Sequence, residues 1–225
     1  MIGERVGAIR DTLRRLAPAR HVAVMAVTKA RSREEALMAV QAGVDAIGEN
    51  WVQEARQKWG QEKPPIPLHC IGHLQTNKVK YAIELFDAID SVDREPLVRA
   101  LNQRLSAVKD VMLEVNIAEE PSKWGLKASE VRPFLERLGP HSKLRVVGLM
   151  TVLPARRENS EEEARRIRHD MQEMAELWRM CRNEGWPWAP LADLSMGMSG
   201  DWEWAVEAGA TMIRLGTAIF GPRVG

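Results

Sequence analysis

Short apolar runs alternate with longer amphipathic segments along the 225-residue chain, and this alternation predicts strands separated by helices. The run at 21–28 is apolar almost without interruption, which is typical of a strand buried on both faces of a parallel sheet. The further predicted strands are 44–48, 68–72, 86–89, 111–117, 144–150, 191–195 and 212–216. Eight strands alternating with helices predict an α/β fold, a single-domain (β/α)8 TIM barrel over residues 1–225.

The opening segment predicts a helix over 3–16, because Val6, Ile9, Leu13 and Leu16 recur at helical spacing. Asp93 is predicted to cap a later helix. Another predicted helix begins near residue 32, and the remaining predicted helices cover 53–59, 76–85, 129–138, 160–184 and 202–208. Nine residues follow the last predicted strand, too few for a full eighth outer helix. We therefore expect the opening helix to occupy that place in the outer ring.

Composition excludes several classes of partner. A formal net charge of +1 gives no electrostatic reason to bind nucleic acid or an anionic membrane surface. Cys70 and Cys181 lack metal-ligand spacing and suggest reduced thiols in a cytoplasmic protein, with no metal site. The first 20 residues lack a signal-peptide core, and no apolar stretch is long enough to cross a membrane. We expect a monomer or a weak dimer.

Lys29 directly follows the run at 21–28 and so stands at the carboxyl end of the first predicted strand. In α/β folds, binding and catalytic groups lie at this end of the strands. Burial there favours the neutral amine that a Schiff base with an aldehyde requires. A lysine that leaves the sheet for solvent is the simpler alternative.

Most of the other predicted strands also end in polar groups. Because the carboxyl ends of barrel strands meet on one rim, we expect these groups to lie together. A purely structural barrel has no need for such a concentration. The residues at these ends are Glu49, Asn50, His73, Gln75, Glu114, Asn116, Met150, Thr151, Ser195, Arg214, Gly216 and Thr217.

The segment after the eighth predicted strand resembles a phosphate site. Phosphate sites in barrels often lie in the loops after strands seven and eight. Gly216 allows close backbone approach, and Thr217 adds a hydroxyl donor. The segment from Ser195 to Ser199 precedes a predicted helix and could place more donors at its N-terminus. Helix capping by Ser199 and a simple turn at 216–217 are the alternatives.

Arg214 shares a strand face with Met212 and Gly216. An arginine in a barrel wall needs a partner, because an unpaired buried charge is costly. Two interpretations remain open at this point. One is an internal salt bridge to Glu49 or Glu114, and the other is a hydrogen bond to an acceptor atom of a ligand.

A reactive lysine, a phosphate site and a donating arginine on one rim together describe a site for pyridoxal phosphate. Here the sequence resembles the pyridoxal phosphate homeostasis proteins, the single-domain relatives of the alanine racemase barrel. The segments that carry the resemblance span nearly the whole chain in order. They are AVTK (26–29), AIGENWVQE (46–54), HCIGHLQTNK (69–78), VN (115–116), SKWG (122–125), GLM (148–150), LSMGMS (194–199) and RLGTAIFG (214–221).

The resemblance implies that Lys29 holds pyridoxal 5'-phosphate as a Schiff base, with Asn50 beside the ring and Arg214 donating to the pyridine nitrogen. It also implies a phosphate site made by Ser199, Gly216 and Thr217, with Ser195 as a further contact. Two departures are threonine at 28, where serine is commoner, and tryptophan at 51, where tyrosine is usual.

The implied role is intracellular homeostasis and delivery of the cofactor, with apo pyridoxal phosphate-dependent enzymes as partners and no robust catalysis. An arginine has no carboxylate to hold a pyridinium, so the cofactor is a weaker electron sink. Racemisation needs acid and base groups on both faces of the substrate. The single tyrosine, Tyr81, lies in a predicted helix.

Three alternatives remain: a weakly active amino-acid racemase or lyase, a phosphate-binding barrel isomerase, and a nucleic-acid or protein-interaction module. The last lacks a basic stripe with interleaved aromatics. A further hypothesis concerns Lys123, in the predicted loop after strand five. The hypothesis is that Lys123 contacts the cofactor phosphate or briefly captures the aldehyde during transfer. The alternative is a solvated loop lysine.

Overall fold

The computed structural model describes residues 1–140, 142–154 and 160–222 and contains a closed barrel of eight parallel strands. Each strand pairs with its neighbour in sequence, and β8 pairs with β1 to close the barrel. The strands are β1 (Ala23–Val27), β2 (Ala46–Glu49), β3 (Leu68–Cys70), β4 (Ala88–Val92), β5 (Lys109–Glu114), β6 (Leu144–Met150), β7 (Asp193–Ser195) and β8 (Met212–Leu215). The predicted barrel is confirmed.

Helices connect successive strands and form the outer layer. A short 3-10 turn at Thr76–Lys78 precedes the fourth of them. The helices are α1 (Ile2–Leu16), α2 (Arg33–Gln41), α3 (Val52–Trp59), α4 (Val79–Leu85), α5 (Glu95–Arg104), α6 (Ala128–Leu138), α7 (Glu161–Asn183), α8 (Trp202–Ala208) and α9 (Thr217–Phe220). Among the described residues, no helix is both long enough and apolar enough to cross a membrane.

Two apolar layers lie on the two faces of the barrel wall. Val24, Ala26, Ile213 and Leu215 belong to the large core between the strands and the helices. The alternate residues of the strands form a separate cluster in the barrel interior, made chiefly of methionines. Its buried members are Met25, Ala46, Met112, Met150 and Met212. These flexible side chains pack against one another in the barrel interior, and Met150 lies at the carboxyl end of its strand.

Helix α1 takes the place in the ring that the short segment after β8 does not fill. It contacts α2, α8 and α9, and it buries Val6, Ile9 and Leu13. Nη1 of Arg5 donates to the carbonyl of Ile219 in α9 at 3.2 Å. The expectation that the opening helix covers this gap is therefore confirmed.

Several predicted boundaries were wrong by one to three residues, chiefly in the middle of the barrel. The fourth strand was predicted to end at 89 but continues to Val92. Its last residues include Asp90 and Ser91, polar side chains that are buried in the wall and that do not resemble a strand in the sequence. Asp90 accepts from Nδ1 of His69 at 2.9 Å, which offsets the cost of its burial. The prediction that Asp93 caps the next helix was wrong. Arg94 is the cap residue of α5, and Asp93 pairs with its guanidinium at 2.5 Å.

Candidate functional site

Lys29 lies on the rim, two residues beyond the end of β1. The preceding residue, Thr28, is fully buried, and its amide donates to the carbonyl of Gly48 at 3.1 Å. The following residue, Ala30, has a φ of 56°, a left-handed conformation that is uncommon for a residue with a side chain. The half-buried lysine thus leaves the barrel from a tight, well-defined turn.

A group of hydrogen-bond donors converges across the rim, between the segments that follow β7 and β8. The hydroxyl oxygen of Ser199 accepts from the amide of Gly216 at 3.2 Å and from the amide of Ala218 at 3.1 Å. Thr217 lies between these amides and is exposed at the start of α9. The backbone N–H groups of Gly216 and Ala218, which here donate to Ser199, and the Thr217 hydroxyl are donors of the kind that a phosphate group requires.

The loop that carries Ser199 depends on a glycine. Gly197 has a φ of 92°, and a Cβ there would lie 2.6 Å from Cβ of Ala205 and 3.0 Å from Cα of Trp202. Any other residue would therefore push this loop away from α8. Oδ1 of Asp201 also accepts from the amide of Met198 at 2.6 Å. These contacts hold Ser199 close to the residues that follow β8.

Arg214 lies in β8, buried on the inner face of the wall, where it pairs in register with Met25. Its Nη1 donates to the hydroxyl of Ser195 and its Nη2 to the carbonyl of Thr151, each at 2.6 Å. Burial lowers the pKa of the guanidinium, and the carboxyls of Asp90, Glu114 and Asp201 oppose that shift.

These contacts bear on the interpretations left open for Arg214 and Ser195. Both donors of Arg214 meet neutral oxygens, while Glu49 pairs with Lys58 at 2.8 Å. Among the described residues neither Glu49 nor Glu114 lies within salt-bridge distance of Arg214, so the internal salt bridge is excluded. Ser195 stands beside the arginine, so its predicted direct contact with a phosphate stays a prediction.

Asn50 follows β2 on the same rim and is half-buried. Its Oδ1 is buried and makes no hydrogen bond within the described parts of the chain. The backbone approaches closely here, since a Cβ on Gly72 would lie 2.2 Å from the carbonyl oxygen of Asn50. A buried acceptor without a partner is costly, so this oxygen is suited to meet a ligand donor.

Glu114 ends β5 and is buried, and no hydrogen-bond partner for its Oε2 lies in the described segments. Burial, reinforced by the nearby Asp93 carboxylate, raises the pKa of Glu114 to about 7, although Arg214 and Arg94 act in the opposite direction. The sequence placed Glu114 on the rim as a possible salt-bridge partner of Arg214, and it gave Glu114 no role toward a ligand. A carboxyl group in this environment can hold or release a proton near neutral pH.

The loop after β5 is braced more firmly than its proline and glycine suggest. Nδ2 of Asn116 donates to the carbonyl of Glu120 at 2.8 Å, and the ring of Trp124 stacks on His73 with 3.8 Å between centroids. Nζ of Lys123 donates to the carbonyl of Val152 at 3.2 Å and lies 3.1 Å from Oε1 of Glu120. Lys123 is therefore anchored in the structure and not simply solvated.

The thiols take no part in the rim. Burial raises the pKa of Cys70 to about 12, and burial also raises the pKa of Cys181, which lies on α7. Both side chains are buried and reduced, so neither offers a thiolate near neutral pH. Among the described residues, no group of three His, Cys, Asp or Glu side chains could hold a metal ion.

Sequence comparison matches residues 5–224 to the family model described as the alanine racemase N-terminal domain. A curated protein from Vibrio alginolyticus, named pyridoxal phosphate homeostasis protein, is 38% identical over 210 residues, which cover 90% of this chain and 87% of that protein. A protein of the same name from Pasteurella multocida is 36% identical over 216 residues, or 92% and 88% of the two chains.

Structure comparison gives the same relationship. The PipY protein of Synechococcus elongatus without pyridoxal phosphate aligns with a TM-score of 0.85 at 32% identity, covering 98% of this chain and 100% of that one. The same protein with pyridoxal phosphate bound aligns with a TM-score of 0.83 at 30% identity and the same coverage. Alanine racemase from Corynebacterium glutamicum shares the fold, with a TM-score of 0.75 at 16% identity over 98% of this chain and 62% of the racemase.

Proposed function

The chain belongs to the family of pyridoxal phosphate homeostasis proteins, and from this premise we propose that it binds pyridoxal 5'-phosphate through Lys29 and delivers it inside the cell. The observation that carries the proposal is the convergence of the Ser199 hydroxyl with the amides of Gly216 and Ala218. This group of donors lies on the same rim as Lys29 and Arg214, as a phosphate-bearing aldehyde requires.

The residues present fit this cofactor. The amides of Gly216 and Ala218, with the hydroxyls of Ser199 and Thr217, would hold the phosphate. Arg214 would donate to the ring nitrogen, and the orphaned Oδ1 of Asn50 lies on the same rim. When bound, the cofactor supplies an aldehyde that condenses with a lysine amine, forming a C=N bond and releasing one water molecule.

The rim favours holding the cofactor over reacting with it. Arg214 is fixed by Ser195 and Thr151 and can donate to a neutral ring nitrogen, but it cannot stabilise a protonated one. Tyr81 lies on the outer helix α4 with the Arg56 guanidinium 4.1 Å from its ring, so it does not serve as a second base.

A transfer assay tests the proposed delivery role. The purified protein is loaded with pyridoxal phosphate, freed of excess cofactor, and mixed with an apo pyridoxal phosphate-dependent enzyme. We expect the enzyme to regain activity in proportion to the loaded protein added, and Lys29→Ala to retain too little cofactor to do so. A wild-type protein that retains no cofactor, or retains it without activating the enzyme, would contradict the proposal.

A weak racemase or lyase activity is the second candidate, and Glu114 is the observation that favours it. Its carboxyl, with a pKa of about 7, is a proton-carrying group on the rim in addition to Lys29. The loaded protein would then convert an L-amino acid slowly to its D form or to a lyase product, and Glu114→Gln would remove that activity. Absence of any product after long incubation eliminates this candidate.

A further inference from the structure

A cluster of charged residues lies directly behind the turn that carries Lys29, and no role in the site has been assigned to it. The cluster consists of Glu49 at the end of β2 with Glu54 and Lys58 on α3. The side chain of Glu49 is fully buried and that of Lys58 is 7% exposed, so both charges are withdrawn from water. Burial of a charge is costly unless its contacts are good, and three contacts of this cluster are hydrogen bonds with Thr28 and Ala30, the residues on either side of Lys29.

The residue before Lys29 is held on two sides. The hydroxyl of Thr28 donates to Oε1 of Glu49 at 2.7 Å, and the carbonyl of Thr28 accepts from Nζ of Lys58 at 2.6 Å. Both bonds involve a charged partner, which makes them stronger than bonds between neutral groups. They fix the side chain and the backbone of Thr28 together.

The residue after Lys29 is held by the same cluster. Ala30 has a φ of 56°, a conformation that an alanine adopts only when its surroundings stabilise it. Its amide donates to Oε1 of Glu54 at 2.6 Å. The carboxylate therefore stabilises the sharp turn at the position where the backbone is least favourable.

The cluster is itself braced. Lys58 lies 2.8 Å from Oε1 of Glu49 and 3.2 Å from Oε1 of Glu54, and Nε1 of Trp59 donates to Oε1 of Glu49 at 3.2 Å. Lys58 thus joins the carboxylate that holds Thr28 to the carboxylate that holds Ala30. Helix α3 forms a rigid support for the turn.

We propose that Glu49, Glu54 and Lys58 are positioning residues for Lys29. They fix the backbone on both sides of the lysine, and they act on the covalent link to the cofactor separately from the phosphate contacts after β7 and β8. The inference rests on the proposed function, because it assigns a role within the same site.

The test compares two ligands on matched variants of Thr28. Thr28→Val keeps the side-chain shape and removes the hydroxyl, while Glu49 retains its bonds from Lys58 and Trp59. Thr28→Ser is the matched control, because serine keeps a hydroxyl at this position. The ligands are pyridoxal phosphate and its 4'-deoxy analogue, which keeps the ring and phosphate but has no aldehyde to react with Lys29.

We expect Thr28→Val to bind pyridoxal phosphate about tenfold more weakly and to form the borohydride-reducible link more slowly, since a bond to a charged partner is lost. Binding of the deoxy analogue should change less than about twofold, because the analogue has no aldehyde and its affinity includes no bond to Lys29. Thr28→Ser should behave as the parent. The inference is overturned if Thr28→Val matches the parent with pyridoxal phosphate, or if it loses both ligands equally.

A second pair of variants keeps the inference testable if Thr28→Val does not fold. Glu54 is partly exposed, and Glu54→Gln keeps an oxygen for the Ala30 amide whereas Glu54→Leu removes it. Only Glu54→Leu should weaken pyridoxal phosphate binding selectively. Glu62→Gln, which changes an exposed carboxylate that pairs with Arg33 and not with the cluster, is the control. Equal behaviour of both Glu54 variants contradicts the inference, whereas a parent that binds neither ligand contradicts the proposed function itself.

Discussion

Arg214 shows how the surroundings of one residue decide between interpretations that the sequence leaves open. Strand alternation places it on one face with Met212 and Gly216, and the pattern alone permits both a salt bridge and a ligand contact. In the fold its donors meet the neutral oxygens of Ser195 and Thr151. Its charge is therefore oriented but not neutralised by a direct carboxylate contact, which suits a donor to a ligand.

Lys29→Ala should abolish the covalent link while the fold survives. The lysine is half-buried at the end of a strand, and the phosphate contacts come from other strands. We expect the free energy of unfolding of the apo-protein to change by less than about 1 kcal/mol. Absorption spectra of the two proteins after incubation with pyridoxal phosphate measure the link, and thermal melts measure the fold. A coloured, borohydride-sensitive Lys29→Ala protein would show that another lysine reacts.

Glu114 should make the stability of the apo-protein depend on pH. Its pKa of about 7 lies above the ordinary value of 4.5, so between these pH values the folded state binds more protons than the unfolded state. Stability from this group is therefore present below pH 4.5 and is lost as the pH rises through 7. Across this pH range, the free energy of unfolding contributed by Glu114 changes by roughly 3 kcal/mol.

Glu114→Gln tests this linkage, because the amide keeps the shape and cannot ionise. At pH 8 we expect the variant to be more stable than the parent by roughly 1–3 kcal/mol, and at pH 5 the two should be nearly equal. Denaturant unfolding at the two pH values measures the difference. If the free energies of unfolding of the variant and the parent differed by the same amount at pH 5 and at pH 8, Glu114 would not titrate in this range.

Elements were predictable from the sequence where one physical signal dominated. The apolar run at 21–28 and the helical spacing of Val6, Ile9 and Leu13 gave β1 and α1 nearly as they are. The extent of β4 was not predictable, because Asp90 is compatible with a strand only through its bond to His69 on the neighbouring strand. The amide of Ala218 was also missed, since a backbone donor leaves no signature in side-chain identity.

The loop after β5 carries the prediction about cofactor release. Its Lys123 is bonded to the carbonyl of Val152, which ties the loop to the segment after β6. Lys123→Ala should slow transfer of pyridoxal phosphate to an apo-enzyme while equilibrium binding changes little. Stopped-flow measurement of enzyme reactivation gives the rate, with Lys127→Ala in the same region as the control. Identical transfer rates for the parent and Lys123→Ala would end this hypothesis.

Helix α1 should be a structural part of the barrel. Its buried residues Val6, Ile9 and Leu13 are each worth about 1.5–3 kcal/mol of burial, and its removal would also uncover Ile213 and Leu215. Deletion of residues 1–17 should therefore cause aggregation or a large fall in melting temperature, with cofactor loss as a consequence. A truncated protein that stays in solution and melts like the parent would refute this expectation.

At the scale of the whole molecule, several contacts that hold the barrel wall lie away from the rim where we propose that the ligand binds. Around the amino ends of the strands, Arg10 pairs with Asp45 at 2.5 Å, and Arg20 donates to the carbonyls of Val206 and Ala210. Inside the barrel, burial opposes protonation of His69, yet the Asp90 carboxylate and its hydrogen bond raise the pKa of that imidazole. These contacts hold the wall independently of the residues in the proposed ligand site.

Peptide mapping of the reduced protein distinguishes most directly between a cofactor-binding barrel and a barrel that only resembles one. The wild-type protein is incubated with pyridoxal phosphate, reduced with borohydride, digested and analysed by mass spectrometry. We expect one pyridoxyl group per chain, carried by the peptide that contains Lys29. A label on another lysine, or spread over several lysines without preference for Lys29, would contradict the proposed site.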